Sequence, residues 1–175
     1  MKLKTRDIVY IGFIAALCAV ATTIRIEIPG GAMVHLGSAA LFTTSILFGG
    51  LYGGLGAAIG SALFDLFGGH TQYIVFSFFI KGIAGLIVGS MTAGYLPPSI
   101  TKPTASFTRI LIALIIGTIW TAFGYFLAWW FVLNSAAVAA SKIQYSLITS
   151  AAGIIVAIVL TPKLQKVVRR LFTKY

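Results

Sequence analysis

From Ile28 to Phe64 the chain runs without one formally charged side chain. That stretch is too long for a single membrane crossing, which takes about 20 apolar residues, and too apolar for a water-facing surface. Gly49-Gly50-Leu51-Tyr52-Gly53-Gly54 lies in its middle, where a tight reversal divides it into two helices, 33–48 and 51–67. The rest of the chain repeats the pattern. An uncharged run over 8–24 ends at the turn-rich Arg25-Ile26-Glu27-Ile28-Pro29-Gly30-Gly31. After Gly68-Gly69-His70-Thr71 a fourth helix covers 72–95, interrupted by Lys81. Pro97, Pro98 and Pro103 break the chain as far as 106, a fifth helix covers 108–133 and a sixth 143–160. Thr161-Pro162 then opens a basic amphipathic tail over 163–175. The expected fold is an all-α integral membrane protein of six transmembrane helices, in one domain over 1–175.

Only 9% of residues are charged, against about 25% in soluble domains, which excludes an ordinary water-soluble enzyme. The net charge of +10 comes from thirteen Lys or Arg set against Asp7, Glu27 and Asp65. With the N-terminus inside, Lys2, Lys4, Arg6, Lys102, Arg109, Lys163, Lys166, Arg169, Arg170 and Lys174 face the cytoplasm. Only Arg25 and Lys142 face outward, and Lys81 lies in a span. This is the positive-inside pattern, with both termini cytoplasmic. The cations therefore report topology and anionic lipid rather than nucleic acid. Lys2, Lys4 and Arg6 before an apolar run also resemble the start of a secretory signal. The run is long enough to span and no A-x-A site follows, so it reads as a retained helix.

The chain carries little that could do covalent chemistry. No G-x-x-x-x-G-K-[ST] loop is present, so ATP hydrolysis by that route is excluded. Cys18 has no partner for a disulfide. His35 and His70 are too far apart, with too few carboxylates nearby, to imply a metal. Nothing in the spacing orients them toward Ser38 or Ser61 as a hydrolytic pair. The reading is not an enzyme, with no cofactor. Gly54-Leu55-Gly56-Ala57-Ala58-Ile59-Gly60 reads as a surface for close helix packing.

Ionisable groups inside spans are functional candidates. Lys81 lies about ten residues into the fourth helix, and Asp65, at the outer end of the third, is its natural counter-charge. The fifth helix presents Trp120, Phe123, Leu127, Trp130 and Asn134 at helical spacing, with Tyr125 and Trp129 on an adjacent face. On the sixth, Lys142, Ser146, Thr149 and Gly153 form a polar stripe, and Tyr145 shares a face with Thr149. These groups gather toward the outer half, which suits a small outward-facing pocket with flat aromatic walls for a planar heterocycle.

The six-helix plan resembles the substrate-binding S components of energy-coupling-factor (ECF) vitamin transporters. Ala15-Ala16-Leu17-Cys18-Ala19 resembles the A-x-x-x-A patch on which such proteins dock to a coupling subunit, pointing to Ala15 and Ala19. Val34-His35-Leu36-Gly37-Ser38, Leu47-Phe48-Gly49-Gly50 and Gly60-Ser61-Ala62-Leu63-Phe64-Asp65-Leu66 resemble the second and third helices of one branch. Ser38 stands where that branch often has a carboxylate. Phe79-Ile80-Lys81-Gly82 and Gly124-Tyr125-Phe126-Leu127 resemble its fourth and fifth helices.

The resemblance implies a division of labour. An S component captures a vitamin or precursor from outside, then associates with a transmembrane coupling subunit and two ATP-binding-cassette ATPases in the bacterial plasma membrane. Residues 25–31, with Pro29-Gly30-Gly31 as hinge, become the lid. Residues 1–67 become the docking half and 68–175 the pocket half. The branch is associated with pyridoxine-like and hydroxymethylpyrimidine-like substrates, pyridoxine being favoured. The ligand-binding set is then His35, Asp65, His70, Gln72, Lys81, Trp120, Tyr125, Trp129, Asn134, Tyr145 and Thr149. A stand-alone secondary carrier or channel using Asp65 and Lys81 is the alternative. A membrane-embedded enzyme ranks below it.

Overall fold

In a computed structural model, which describes residues 4–28, 32–95 and 105–172, the long uncharged stretch is a β-hairpin strand followed by a doubled-back helix. Helix α1 is Thr5–Thr23; strands β1 (Arg25–Ile28) and β2 (Ala32–His35) pair antiparallel, Arg25 opposite His35. Helix α2 spans Gly37–Phe67, α3 Ile74–Thr92, α4 Phe107–Leu133 and α5 Ala136–Phe172. A single 3-10 turn, Thr71–Tyr73, leads into α3. The segment read as the start of a second helix at Met33 is therefore strand as far as His35. Pro29, Gly30 and Gly31, and Pro97, Pro98, Lys102 and Pro103, lie outside the described residues, as do Lys2 and Lys174.

The reversal expected at the glycine run falls on Gly49, whose φ of 85° and ψ of 174° interrupt α2. Only glycine adopts that conformation without a Cβ penalty. A Cβ on Gly53 would lie 2.5 Å from Cα of Ser45, although an unbroken helix separates residues eight apart by about 12 Å. The two arms, 37–48 and 50–67, therefore fold back on one another. The amides freed at the start of the second arm are not left bare. Gly50 N donates to Gly94 O at 2.9 Å and Leu51 N to Tyr95 O at 2.8 Å.

At 1.5 Å per residue the arms reach about 18 and about 27 Å, both short of the roughly 30 Å hydrocarbon layer and the first by the wider margin. Among the described residues, five helices are long and apolar enough to cross a membrane, with α2 counted once. The basic tail is also not separate, because α5 continues through Pro162 to Phe172. Proline there removes one helical hydrogen bond without ending the helix.

Small residues set the packing. Gly56 and Gly60 lie against Ile14, Ala15 and Cys18 of α1, and Gly85 against Gly54. Backbones approach because no side chain intervenes, which matters where lipid supplies no hydrophobic drive for association. The core around Ile14, Leu41, Phe42, Val88 and Leu114 lies between these helices. Outward-facing Phe13, Val20, Ile119, Phe131 and Ile155 are exposed, as expected of a surface turned toward lipid.

Candidate functional site

At the end of the bundle away from the Gly49 reversal, α1, β2, both arms of α2, α3, α4 and α5 enclose one pocket of about 730 Å³, its mouth included. Lys81 reaches it from α3 and is only 4% exposed. Its Nζ donates to Ser38 Oγ at 3.1 Å and stands 5.4 Å from the Tyr125 ring centroid. Tyr125 Oη shares a 3.0 Å hydrogen bond with Ser77 Oγ, and its ring packs against Trp129 at 5.5 Å. Asp65, 7% exposed, comes from the end of the second α2 arm. Its Oδ2 and His70 Nε2 are buried without a protein partner.

The β-hairpin covers one side. Arg25 pairs with Glu27 at 2.7 Å and places its guanidinium 5.0 Å from the centre of the Phe64 ring. Thr149 Oγ1, on α5, donates to Met33 O at 3.4 Å, tying β2 to that helix. His35 Nδ1 accepts the Gly37 amide at 3.0 Å, which puts the neutral ring's proton on Nε2. Burial, reinforced by the positive charges of Lys81 and Arg25, pushes His35 down to about 3 from 6.5. The imidazole is thus neutral at physiological pH and offers Nε2–H as a donor.

Of the residues singled out in the sequence, His35, Asp65, His70, Lys81, Tyr125, Trp129 and Thr149 line this pocket. Four do not. Trp120 instead donates its indole N–H to Ile80 O at 3.0 Å and packs on the core. Asn134 is the exposed C-cap of α4, in the left-handed region at φ 52°, a position asparagine tolerates. Gln72 is exposed on the 3-10 turn, and Tyr145 is half-buried outside the lining. The expected Asp65–Lys81 ion pair is also not made directly, since Lys81 is held by Ser38.

The lining includes Thr22, Met33, Ser38, Ser61, Phe64, Tyr73, Ser77 and Ser146 as well. Several were legible by spacing: Ser61 is one helical turn before Asp65, and Ser77 one turn before Lys81. Seven lining residues precede position 68 and eight follow it, so the pocket is not confined to residues 68–175.

On α1, Ala15 is 2% exposed and turned inward against Gly60. An inward side chain is not free to meet a partner, and Ala19 is half-buried. Gly12 and Ala16 carry the same four-residue spacing on the exposed face, and nothing lies within 4 Å of where a Gly12 Cβ would be.

Long apolar helices around one polar, partly aromatic pocket define a multi-pass membrane protein built to bind a small solute. The chain belongs to the ECF-type riboflavin transporter S-component family, whose model matches residues 2–166. Family and fold are those of a transporter component and not of an enzyme family. A Pyrococcus woesei protein, described as an uncharacterized protein in gap 3'region, is 29% identical over 142 residues, or 81% of this chain and 88% of that protein. The fold is similar to a solved S component of a bacterial ECF transporter, with a TM-score of 0.72. That match covers 95% of this chain and 99% of the other at 19% identity, and so bears on the fold alone.

Proposed function

We propose that this chain captures a small, neutral, hydroxylated nitrogen heterocycle at the outer face of the bacterial plasma membrane and delivers it inward through an ECF module. Pyridoxine and hydroxymethylpyrimidine are the favoured substrates. The observation that carries this reading is a buried pocket whose polar atoms await partners, Asp65 Oδ2 and His70 Nε2, beside the Tyr125–Trp129 pair. A buried polar atom without a partner costs about 1–3 kcal/mol, and a ligand with ring nitrogens and hydroxyls removes that cost. With Trp120 and Tyr145 outside the lining, the aromatic wall suits one ring better than three. Riboflavin, named in the family's description, is the tricyclic competitor.

The chain crosses the membrane six times in this reading, the α2 arms making two of the passes, and both termini are cytoplasmic. The pocket then opens outward under the β1–β2 lid. A transmembrane coupling subunit, carrying two ATPases, docks on the exposed face of α1 at Gly12 and Ala16, with Ala19 at its edge. Calorimetric titration of the purified chain in lipid nanodiscs tests the substrate. Pyridoxine or hydroxymethylpyrimidine is expected to bind at submicromolar concentration and more tightly than riboflavin. Tight binding of riboflavin alone would overturn the monocyclic assignment.

A further inference from the structure

Two opposite formal charges face the same buried pocket without pairing to each other. Lys81 is anchored from one side by Ser38, at 3.1 Å, which uses one of its three donors. Asp65 keeps Oδ2 free of any protein partner although the residue is only 7% exposed. Burying charge is costly unless it is compensated. The two groups nevertheless belong to different helices, α2 and α3, and both line the cavity. A ligand that bridges them satisfies both at once: it gives a proton-bearing edge to the carboxylate and an electron-rich oxygen to the ammonium.

We infer that the pocket selects the dipolar tautomer of a hydroxypyridine-type ring, with the ring N–H directed to Asp65 and the ring-bound oxygen to Lys81. A 3-hydroxypyridine moves its phenolic proton to the ring nitrogen, giving a pyridinium N–H and a phenolate oxygen. No atom is gained or lost in that transfer. Water stabilises this form, whereas an uncharged apolar cavity would return the proton to oxygen, because desolvation disfavours separated charge. Fixed charges of opposite sign on opposite edges replace the water, and charge-assisted hydrogen bonds to both edges are the strong kind. The Tyr125 ring near Lys81, at 5.4 Å, adds a surface that tolerates the cation. His35, neutral with its Nε2–H as donor, adds no competing charge.

This inference rests on the monocyclic reading of the pocket, and two readouts separate them. Calorimetry with pyridoxine and with 3-hydroxypyridine reports binding; ultraviolet absorption of the bound ligand reports its tautomer, because the dipolar form absorbs at longer wavelength than the uncharged one. On the full wild-type chain in nanodiscs, bound ligand is expected to keep the dipolar band. Asp65→Asn and Lys81→Met should each weaken binding by about tenfold to a hundredfold, the loss of one charge-assisted hydrogen bond. At saturating ligand each variant should move the bound absorption toward the uncharged band. The ring-carbon analogue 3-hydroxybenzyl alcohol should bind the wild type at least about tenfold more weakly than pyridoxine. Binding in the uncharged band would overturn the tautomer inference and leave the monocyclic reading standing. No binding of either hydroxypyridine would overturn the tautomer inference, and would overturn the monocyclic reading with it if hydroxymethylpyrimidine also fails to bind. The wild-type spectrum needs no variant, so a misfolded substitution cannot mask the answer.

Discussion

Where α3 meets the second arm of α2, the two backbones touch: a Cβ on Gly85 would lie 2.8 Å from Gly54 Cα, and one on Gly89 would lie 2.5 Å from Gly50 Cα. A few turns away, the same α3 faces α4 across Ser77, Lys81 and Tyr125, whose polar ends stand apart and line a cavity. One helix thus carries two kinds of contact, glycine toward its neighbours near the Gly49 reversal and long polar chains toward the pocket. In lipid the first kind supplies helix association through close packing. The second kind opposes close packing, and it survives because the glycine seam holds the frame around it.

The largest way to break this contrast is to put bulk into the seam. Gly89→Leu is expected to abolish the folded state, because its neighbour is backbone and cannot rotate away. Overpacking typically costs about 1–3 kcal/mol and more where nothing yields. Thermal unfolding in detergent, with the monodisperse fraction on gel filtration, reads the outcome. An unchanged melt would show that the seam is looser than its geometry.

The pocket side should respond in the opposite way. Lys81→Met is expected to weaken ligand binding about tenfold or more while leaving the melting temperature unchanged or raised. Among the described residues Lys81 makes no ion pair, so Met keeps its volume and removes the cost of burying an unpaired charge. A variant that lost binding and stability together would mean that Lys81 braces the helices.

The seam was largely legible in the sequence and the pocket only in part, for a physical reason. Glycine runs such as the one at Gly49 announce a reversal and close approach by composition alone, and the structure places the break there. Lys81 and Asp65 stand out because ionisable groups are rare in apolar helices. Which aromatic rings face a cavity depends on helix rotation, and the fifth-helix pattern gave no origin for it. Trp120 therefore belongs with the core through Ile80 O, whereas Tyr125 and Trp129 reach the pocket. The β1–β2 hairpin was hidden because four-residue strands among turn residues leave almost no periodic signal. Asn134 looked like a binding residue and is a helix cap, a distinction carried by backbone conformation and not by residue type.

Neighbouring positions on α1 divide between the seam and the open face. Ala15 belongs to the seam, facing Gly60, whereas Ala16 is on the exposed face beside Gly12. Ala15→Trp is expected to destabilise the fold and to lose binding with it. Ala16→Trp should leave calorimetric binding intact and abolish ATP-dependent uptake in proteoliposomes containing the coupling subunit and ATPases. Intact uptake by Ala16→Trp would place the docking face elsewhere than on α1.

The smallest expected effect comes from His35, at the border between lid and pocket. Its imidazole is held at about 3 in the fold by burial and by Lys81 and Arg25, while in the unfolded chain it protonates near 6.5. Between those values the unfolded state binds more protons, so stability rises with pH across that window. The His35 contribution is full above about 6.5 and is lost as the pH falls toward about 3. His35→Gln removes this dependence. Its melting temperature should fall less than that of the wild type between neutral pH and pH near 4.5, by about 2–4 °C for each kcal/mol of difference in a chain of this size. Gln also keeps a donor for the pocket, so ligand binding at neutral pH should change little. If wild type and variant instead fall in parallel, acid sensitivity lies in the carboxylates, and the hairpin's hold on the pocket is independent of its histidine.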